Sequence, residues 1–322
     1  MLIPAEVDYN PFIPPLAAFA ISVFTSTGGV SGAFLLLPFQ VSVMGISSPA
    51  SSPTNMLYNI VAIPSGVYRY IREGRMSWPL VTITTVGTLP GVFIGVMLRV
   101  KYFSNPVVFK FFVGWVLLYI GGQLLASTML GKRKGSGKLA VLEEKFKQRL
   151  KDLREITSGK IQAGLPPDAV IRTLRFSWAK YEFEFWGECF AFNPLILMSV
   201  SLIIGIIGGT YGIGGGAIIA PFCVIFFALP VYAVAGAALM GTFITSIAGV
   251  AFFQILAPFY QSAGIDIAPD WKLGILFGIG GFAGIYCGAR LQKFIPEKII
   301  RTILALIMVI LALKYILGFF MR

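Results

Sequence analysis

The chain has 322 residues, of which 57% are hydrophobic and only 12% charged, with a formal net charge of +12 and a mean hydropathy of +0.82. A soluble chain of this length needs about a quarter of its residues charged to cover its surface. Leu195 to Gln254 runs sixty positions without a charge, so a water-soluble globule is excluded and several membrane-spanning helices of about 20 residues each are implied.

The N-terminus carries Glu6, Asp8 and several prolines but no basic stretch, and does not read as a cleavable signal. Two short apolar segments follow, near 12–26 and 31–45, divided by glycines. A segment at 54–70 comes next, then two longer spans at 78–98 and 106–129. Residues 1–130 thus read as a first membrane repeat. The same order returns in 193–322 as 195–209, 214–229, 232–253, 273–291 and 301–320, a second membrane repeat.

The repeat is visible in aligned residues. Thr27 to Phe39 reads TGGVSGAFLLLPF and Thr210 to Phe222 reads TYGIGGGAIIAPF. Pro38 pairs with Pro221, and the same offset pairs Ala50 with Ala233 and Gly66 with Gly249. With extra residues allowed in one loop, Trp78 pairs with Trp271, Gly91 with Gly284 and Gly95 with Gly288. Segments of about 15 residues are too short to cross a membrane alone. They suit broken or re-entrant helices enclosed by protein.

Between the repeats, 131–192 reads as a small α+β cytoplasmic insert. Lys132 to Lys160 holds ten Lys or Arg against four acids. Beside membrane helices this marks the cytoplasmic side; a nucleic-acid face would interleave such residues with aromatics, so no nucleic-acid partner is expected. Leu139, Leu142, Phe146, Leu150, Leu153 and Ile156 form a helical stripe. Leu174, Phe176 and Trp178, then Tyr181, Phe183 and Phe185, alternate with polar residues and predict a hairpin. Arg69, Arg72 and Arg75 make a basic loop whose counterpart near 254–270 is acidic, with Asp266 and Asp270. Opposite bias in equivalent loops predicts two inverted repeats. The loop bearing Arg99 and Lys101 would then face outward, against the trend.

The glycine clusters carry the functional reading. One alone would more often mean close helix packing. Two at matching repeat positions, each between short segments, point to a transporter's midplane site, where the N–H groups that open a half-helix favour anions. The candidates are Gly28, Gly29, Ser31 and Gly32 in the first half and Gly212, Gly214, Gly215 and Gly216 in the second. Neutral donors follow each break: Ser51, Ser52, Thr54, Asn55 and Asn59, then Thr242, Thr245 and Ser246. Any of these hydroxyls can instead bond back to its own helix. Arg69 and Arg72 are candidates for a cytoplasmic access path, alongside a plain topological role.

There is no histidine, and no Asp or Glu falls inside an expected span, which argues against a titrating proton relay. No nucleophile, metal cluster or acid–base pair indicates an enzyme. Cys189, Cys223 and Cys287 follow no ligand spacing, and no cofactor or metal is implied.

At these residues the chain resembles the TauE/SafE family, sulfite exporters also called toluene sulfonate uptake permeases. The matching pieces are Gly212-Ile-Gly214-Gly215-Gly216, Pro221 and Ala233-Val-Ala-Gly, with a looser copy in Gly29-Val-Ser31-Gly32 and Pro38. The resemblance covers both membrane halves and not the insert. It implies transport, usually export, of small sulfur-containing anions such as sulfite, sulfoacetate or related organosulfonates. Where many relatives carry Thr-Ser, this chain has Gly236-Ala237 and Pro53-Thr54, which shifts the expected contacts toward Thr54 and Asn55. Open alternatives are an anion channel, a carrier of another small solute, or a membrane scaffold acting through the insert. A homodimer in the plasma membrane is compatible with all of them.

Overall fold

The computed structural model describes residues 9–27, 31–46, 48–72, 74–129, 148, 170–262, 264–291 and 297–321. The first half contains α1 (Ile13–Thr27), α2 (Ala33–Ser42), α3 (Ser51–Ala62), α4 (Pro64–Arg72), α5 (Trp78–Lys101) and α6 (Pro106–Met129). A three-stranded sheet follows, β1 (Ile171–Phe176), β2 (Tyr181–Phe185) and β3 (Glu188–Phe192). The second half contains α7 (Pro194–Tyr211), α8 (Gly216–Phe226), α9 (Val231–Gln261), α10 (Trp271–Leu291) and α11 (Glu297–Phe320). Six of these helices, α5, α6, α7, α9, α10 and α11, are long and apolar enough to cross a membrane, while α1 and α2 are shorter apolar helices.

Local chemistry explains the boundaries. Ser77 Oγ accepts the Leu80 N–H at the start of α5, Asn193 Oδ1 accepts those of Leu195 and Ile196 at the start of α7, and Asp270 Oδ1 accepts that of Leu273 at the start of α10. Each satisfies donors that a helix start leaves free. The expected segment 54–70 is divided at Ile63 into α3 and α4, because Pro64 has no N–H to continue the ladder. Its counterpart α9 is continuous and runs to Gln261, beyond the expected 253.

Glycine seams set which helices touch. A Cβ on Gly91 or Gly95 would stand 2.2 or 2.4 Å from the carbonyls of Leu202 and Ile206, so α5 and α7 run parallel in near backbone contact. Cβ atoms on Gly280, Gly284 and Gly288 would stand 2.0, 2.5 and 2.6 Å from the carbonyls of Pro15, Phe19 and Val23, so α10 and α1 do the same. Small residues allow this approach where lipid offers no hydrophobic drive for association. In α6 and α11 the contacts reverse, with Gly114 beside Ala312 and Gly121 beside Ala305. Helices α3 and α9 are also antiparallel, with Met56 against Gly249 and Asn59 bonded to Ser246.

The sheet is antiparallel in the order β1-β2-β3. The expected hairpin is present, and a third strand extends it. Trp186 and Gly187, at φ 54° and 79°, form the tight turn, and Phe190 and Phe192 continue the alternation. Tyr181, Phe183 and Phe185 are buried, while Leu174, Phe176 and Trp178 are exposed. Tyr181 Oη lies 2.9 Å from Ser77 Oγ, the Ile171 N–H donates to Gly74 O, and Phe192 packs edge-on against Phe227 just beyond α8. The sheet therefore abuts the start of α5 and the end of α8. The stripe expected over 139–156 lies outside the described residues.

Substituting Gly91 with Ala should destabilise the protein by about 1–3 kcal/mol, the range for forced overpacking, because the added carbon meets backbone at 2.2 Å. Gly122→Ala meets nothing within 4 Å and should leave the thermal midpoint of the purified protein unchanged or slightly raised. Equal midpoints for the two variants would contradict this account of the seam.

Candidate functional site

Helix α7 ends at Tyr211 because Gly212 takes a left-handed conformation at φ 89°, returning its N–H to Gly208 O. Gly214 is also left-handed, at φ 71°, and Gly215 precedes α8 with no side-chain cap. These φ values suit glycine. The close surroundings add a second reason: a Cβ on Gly212 would meet Ser52 backbone at 2.4 Å, and one on Gly216 would meet Ala238 O at 1.9 Å. The turn is therefore held against α3 on one side and α9 on the other.

In the first half α1 ends at Thr27 and α2 begins after Gly32, again with no side-chain cap. Gly28 and Gly29 lie outside the described residues. Ser31 Oγ accepts the N–H of Ala33 at 3.3 Å. Gly32 lies against Tyr58, whose Oη is 2.8 Å from Ser22 Oγ.

The two turns meet. Asn55, fully buried in α3, donates from Nδ2 to Ala33 O at 3.1 Å and to Gly212 O at 2.9 Å, and its Oδ1 accepts from Gln40 Nε2. One amide thus spans the start of α2 and the end of α7. Tyr211 Oη donates to Phe34 O at 2.8 Å, and the two rings pack edge to face. One turn further along α3, Asn59 donates to Ile213 O at 3.0 Å and to Ser246 Oγ. Asn55 has no hydrogen left to offer a ligand, so it is a fastener between the turns.

The remaining candidates separate by partner. Thr242 and Thr245 donate to the carbonyls of Ala238 and Gly241 on their own helix, and Thr245 Oγ1 also accepts the Gly215 N–H at 3.3 Å. Thr54 is not at the turns. Its hydroxyl donates to Ala50 O and accepts the Asp270 N–H at 2.9 Å, which joins α3 to the start of α10. Arg72 is exposed in the last turn of α4, and Arg69 lies on the same helix. Neither Thr54 nor Arg72 joins the cluster at Gly212–Gly216.

Two features escape a reading of the sequence alone. Thr85 on α5 is buried, and its hydroxyl has no hydrogen-bond partner; the same holds for Asn59 Oδ1 and Gln40 Oε1. The second is Arg99. Expected in an outward-facing loop, it occupies the last turn of α5 and is wholly buried. Its guanidinium lies 3.5 Å from the Phe109 ring centroid and donates to Ser52 Oγ, Ser51 Oγ, Ser48 O and Phe103 O. The planar fork suits several neutral acceptors at once. Ser52 Oγ in turn donates to Thr210 O, so Arg99 ties α5, the start of α3 and the end of α7 together. It positions the helix that carries Asn55 and Asn59. Only a local apolar context distinguishes Arg99 from exposed Lys101 in sequence, and the burial follows from the seam between helices.

Among the described residues no group of three His, Cys, Asp or Glu could hold a metal ion. The chemistry on offer is that of backbone dipoles, hydroxyls and amides.

Residues 15–315 match the family described as sulfite exporter TauE/SafE. Over 115 residues the chain is 29% identical to a protein of Bacillus subtilis (strain 168) described as probable membrane transporter protein YdhB, a stretch covering 34% of this chain and 41% of that relative's length. No solved structure matches the chain.

Asn55→Ala should lower stability by about 2–4 kcal/mol, since it strands two buried carbonyls. Thr54→Val, which removes one acceptor from a partly buried N–H, should cost about 1 kcal/mol. Thermal unfolding of the two purified variants checks the order, and the reverse order would remove Asn55 from its fastening role.

Proposed function

The chain belongs to the sulfite exporter TauE/SafE family and is a multi-pass membrane transporter, and from that premise we propose that it exports small sulfur-containing anions, such as sulfite, sulfoacetate or related organosulfonates, held where its two helix interruptions meet. The observation that carries this reading is the start of α2 and of α8, both in the buried interior and both opened by a glycine, with one N–H at each taken by a neutral hydroxyl, Ala33 by Ser31 and Gly215 by Thr245. A helix start bears roughly half a positive charge and free N–H donors. Two of them, tied within reach of one asparagine side chain, make a place that favours an anion.

The directions of the helices support an inverted-repeat reading of the two halves. Equivalent helices α3 and α9 run antiparallel, as do α6 and α11, while α5 is parallel to α7 and α10 to α1. The pair α7–α8 starts and ends beside the sheet, on the side that the basic insert assigns to the cytoplasm. In such repeats transport proceeds by rocking one bundle against the other around a fixed midplane site. Arg72 then lies on the cytoplasmic approach. No carboxylate or histidine lies in the six candidate spans, so the protein works without a titrating relay among them.

Proteoliposomes containing the protein should show saturable flux of sulfite or sulfoacetate. Gly215→Leu should lower that flux at least tenfold, roughly 1.4 kcal/mol of lost stabilisation or more, because even its Cβ would stand 2.6 Å from Thr88 Cγ2. Absence of flux across sulfite, sulfoacetate and simple sulfonates would refute the substrate class. Unitary currents in a planar bilayer would favour a channel.

A further inference from the structure

We propose that each chain holds a single anion, seated on the second-half side against Thr85, in a space opened by Gly241 and closed in the other half by Tyr58. The inference rests on the functional reading above and deepens it.

The argument starts from repeat positions. The offset that pairs Pro38 with Pro221 and Gly66 with Gly249 also pairs Tyr58 with Gly241 and Gly32 with Gly215. In the first half the Tyr58 ring lies on the turn: Cβ atoms on Gly32 and Gly281 would stand 2.3 and 2.2 Å from its Oη and Cε2. Its hydroxyl is satisfied by Ser22. Among the described residues, that half has no room beside the turn.

In the second half the tyrosine's position is glycine. A Cβ added to Gly241 would meet only Thr84 Oγ1 at 3.6 Å and Thr85 Oγ1 at 3.7 Å, ordinary van der Waals distances. Thr88, the counterpart of Gly281, takes up part of the room beside Gly215, but a threonine is far smaller than a tyrosine. The space is polar on each side described. Thr84 Oγ1 is engaged with Leu80 O and Val81 O, whereas Thr85 Oγ1 has no partner although the residue is only 7% exposed. Gly241 is linked to the start of α8 through Thr245, which donates to Gly241 O and accepts from Gly215 N. The unsatisfied Thr85 hydroxyl thus borders Gly241, which Thr245 links to the start of α8. A buried donor without a partner is costly, and a compact oxyanion supplies the acceptor that the Thr85 hydroxyl lacks.

The test is sulfite and sulfoacetate binding to the purified full-length protein by titration calorimetry, with thermal unfolding of each variant without anion. One anion per wild-type chain is expected. Gly241→Leu should abolish measurable binding. Thr85→Val, nearly isosteric, should weaken affinity about tenfold or more while leaving the anion-free unfolding temperature the same or higher. Tyr58→Phe, which keeps the ring, should leave affinity unchanged. Two anions per chain, or wild-type affinity in both Gly241→Leu and Thr85→Val, would overturn the assignment while sparing the substrate class. A wild-type protein that binds no anion of the panel would overturn both.

Discussion

A helix that begins inside an apolar interior leaves N–H groups with no water to receive them, and this constraint organises the protein. Helices α2 and α8 both begin in this way. Ser31 and Thr245 each take one of those donors, and the other side chains around them attend to the opposite end of the problem. Asn55 donates to Ala33 O and Gly212 O, Asn59 to Ile213 O, Tyr211 to Phe34 O and Ser52 to Thr210 O. Carbonyl oxygens at the junction are neutralised one after another, while of the α8 donors the Gly215 N–H alone is drawn toward a hydroxyl. What remains is a positive dipole at each helix start, whose sign suits the anion proposed above without a fixed cation.

The rest of the architecture keeps that junction in place. Parallel glycine seams bring α5 onto α7 and α10 onto α1 at backbone distance, so each half's leading helix is gripped by a late helix of the other half. Arg99 adds a polar clasp. Its guanidinium is buried among hydroxyls and carbonyls, and its Ser52 contact reaches the carbonyl of Thr210, two residues before the Gly212 turn. An ionised group without a carboxylate partner is expensive to bury. Here four neutral acceptors and an aromatic face share the task, and the result is a fixed start for the helix that carries both asparagines.

Much of the fold was legible because membrane helices are written in long apolar runs. The helix ends at Thr27 and Tyr211 lie close to the ends expected from segment length. Side-chain roles were not legible in this way. Thr54 and Asn55 are neighbours with similar polarity, yet a rotation of 100° along the helix sends one to Asp270 and the other to both turns. Thr242 and Thr245 bond to their own helix, a choice set by what lies opposite them. Arg99 looked like a loop charge because it falls two residues from a helix end. The third strand carried its alternation in Phe190 and Phe192, but the Trp186-Gly187 turn is so tight that the pattern reads as one run.

The asymmetry of the halves matters for release as well as for binding. A repeat built symmetrically would present two equivalent seats, and two like charges at close range would repel in a medium of low dielectric. In the proposed arrangement, filling one seat with Tyr58 removes that repulsion. It also leaves the remaining seat bounded by hydroxyls and peptide dipoles, whose hold on an anion is weaker than that of a bidentate arginine. Conduction through a membrane requires binding strong enough to admit the ion and weak enough to let it go. The buried Arg99 guanidinium already spends four of its five N–H groups on Ser48, Ser51, Ser52 and Phe103. Its charge would lend a background field to the proposed anion while presenting no open bidentate fork to trap it.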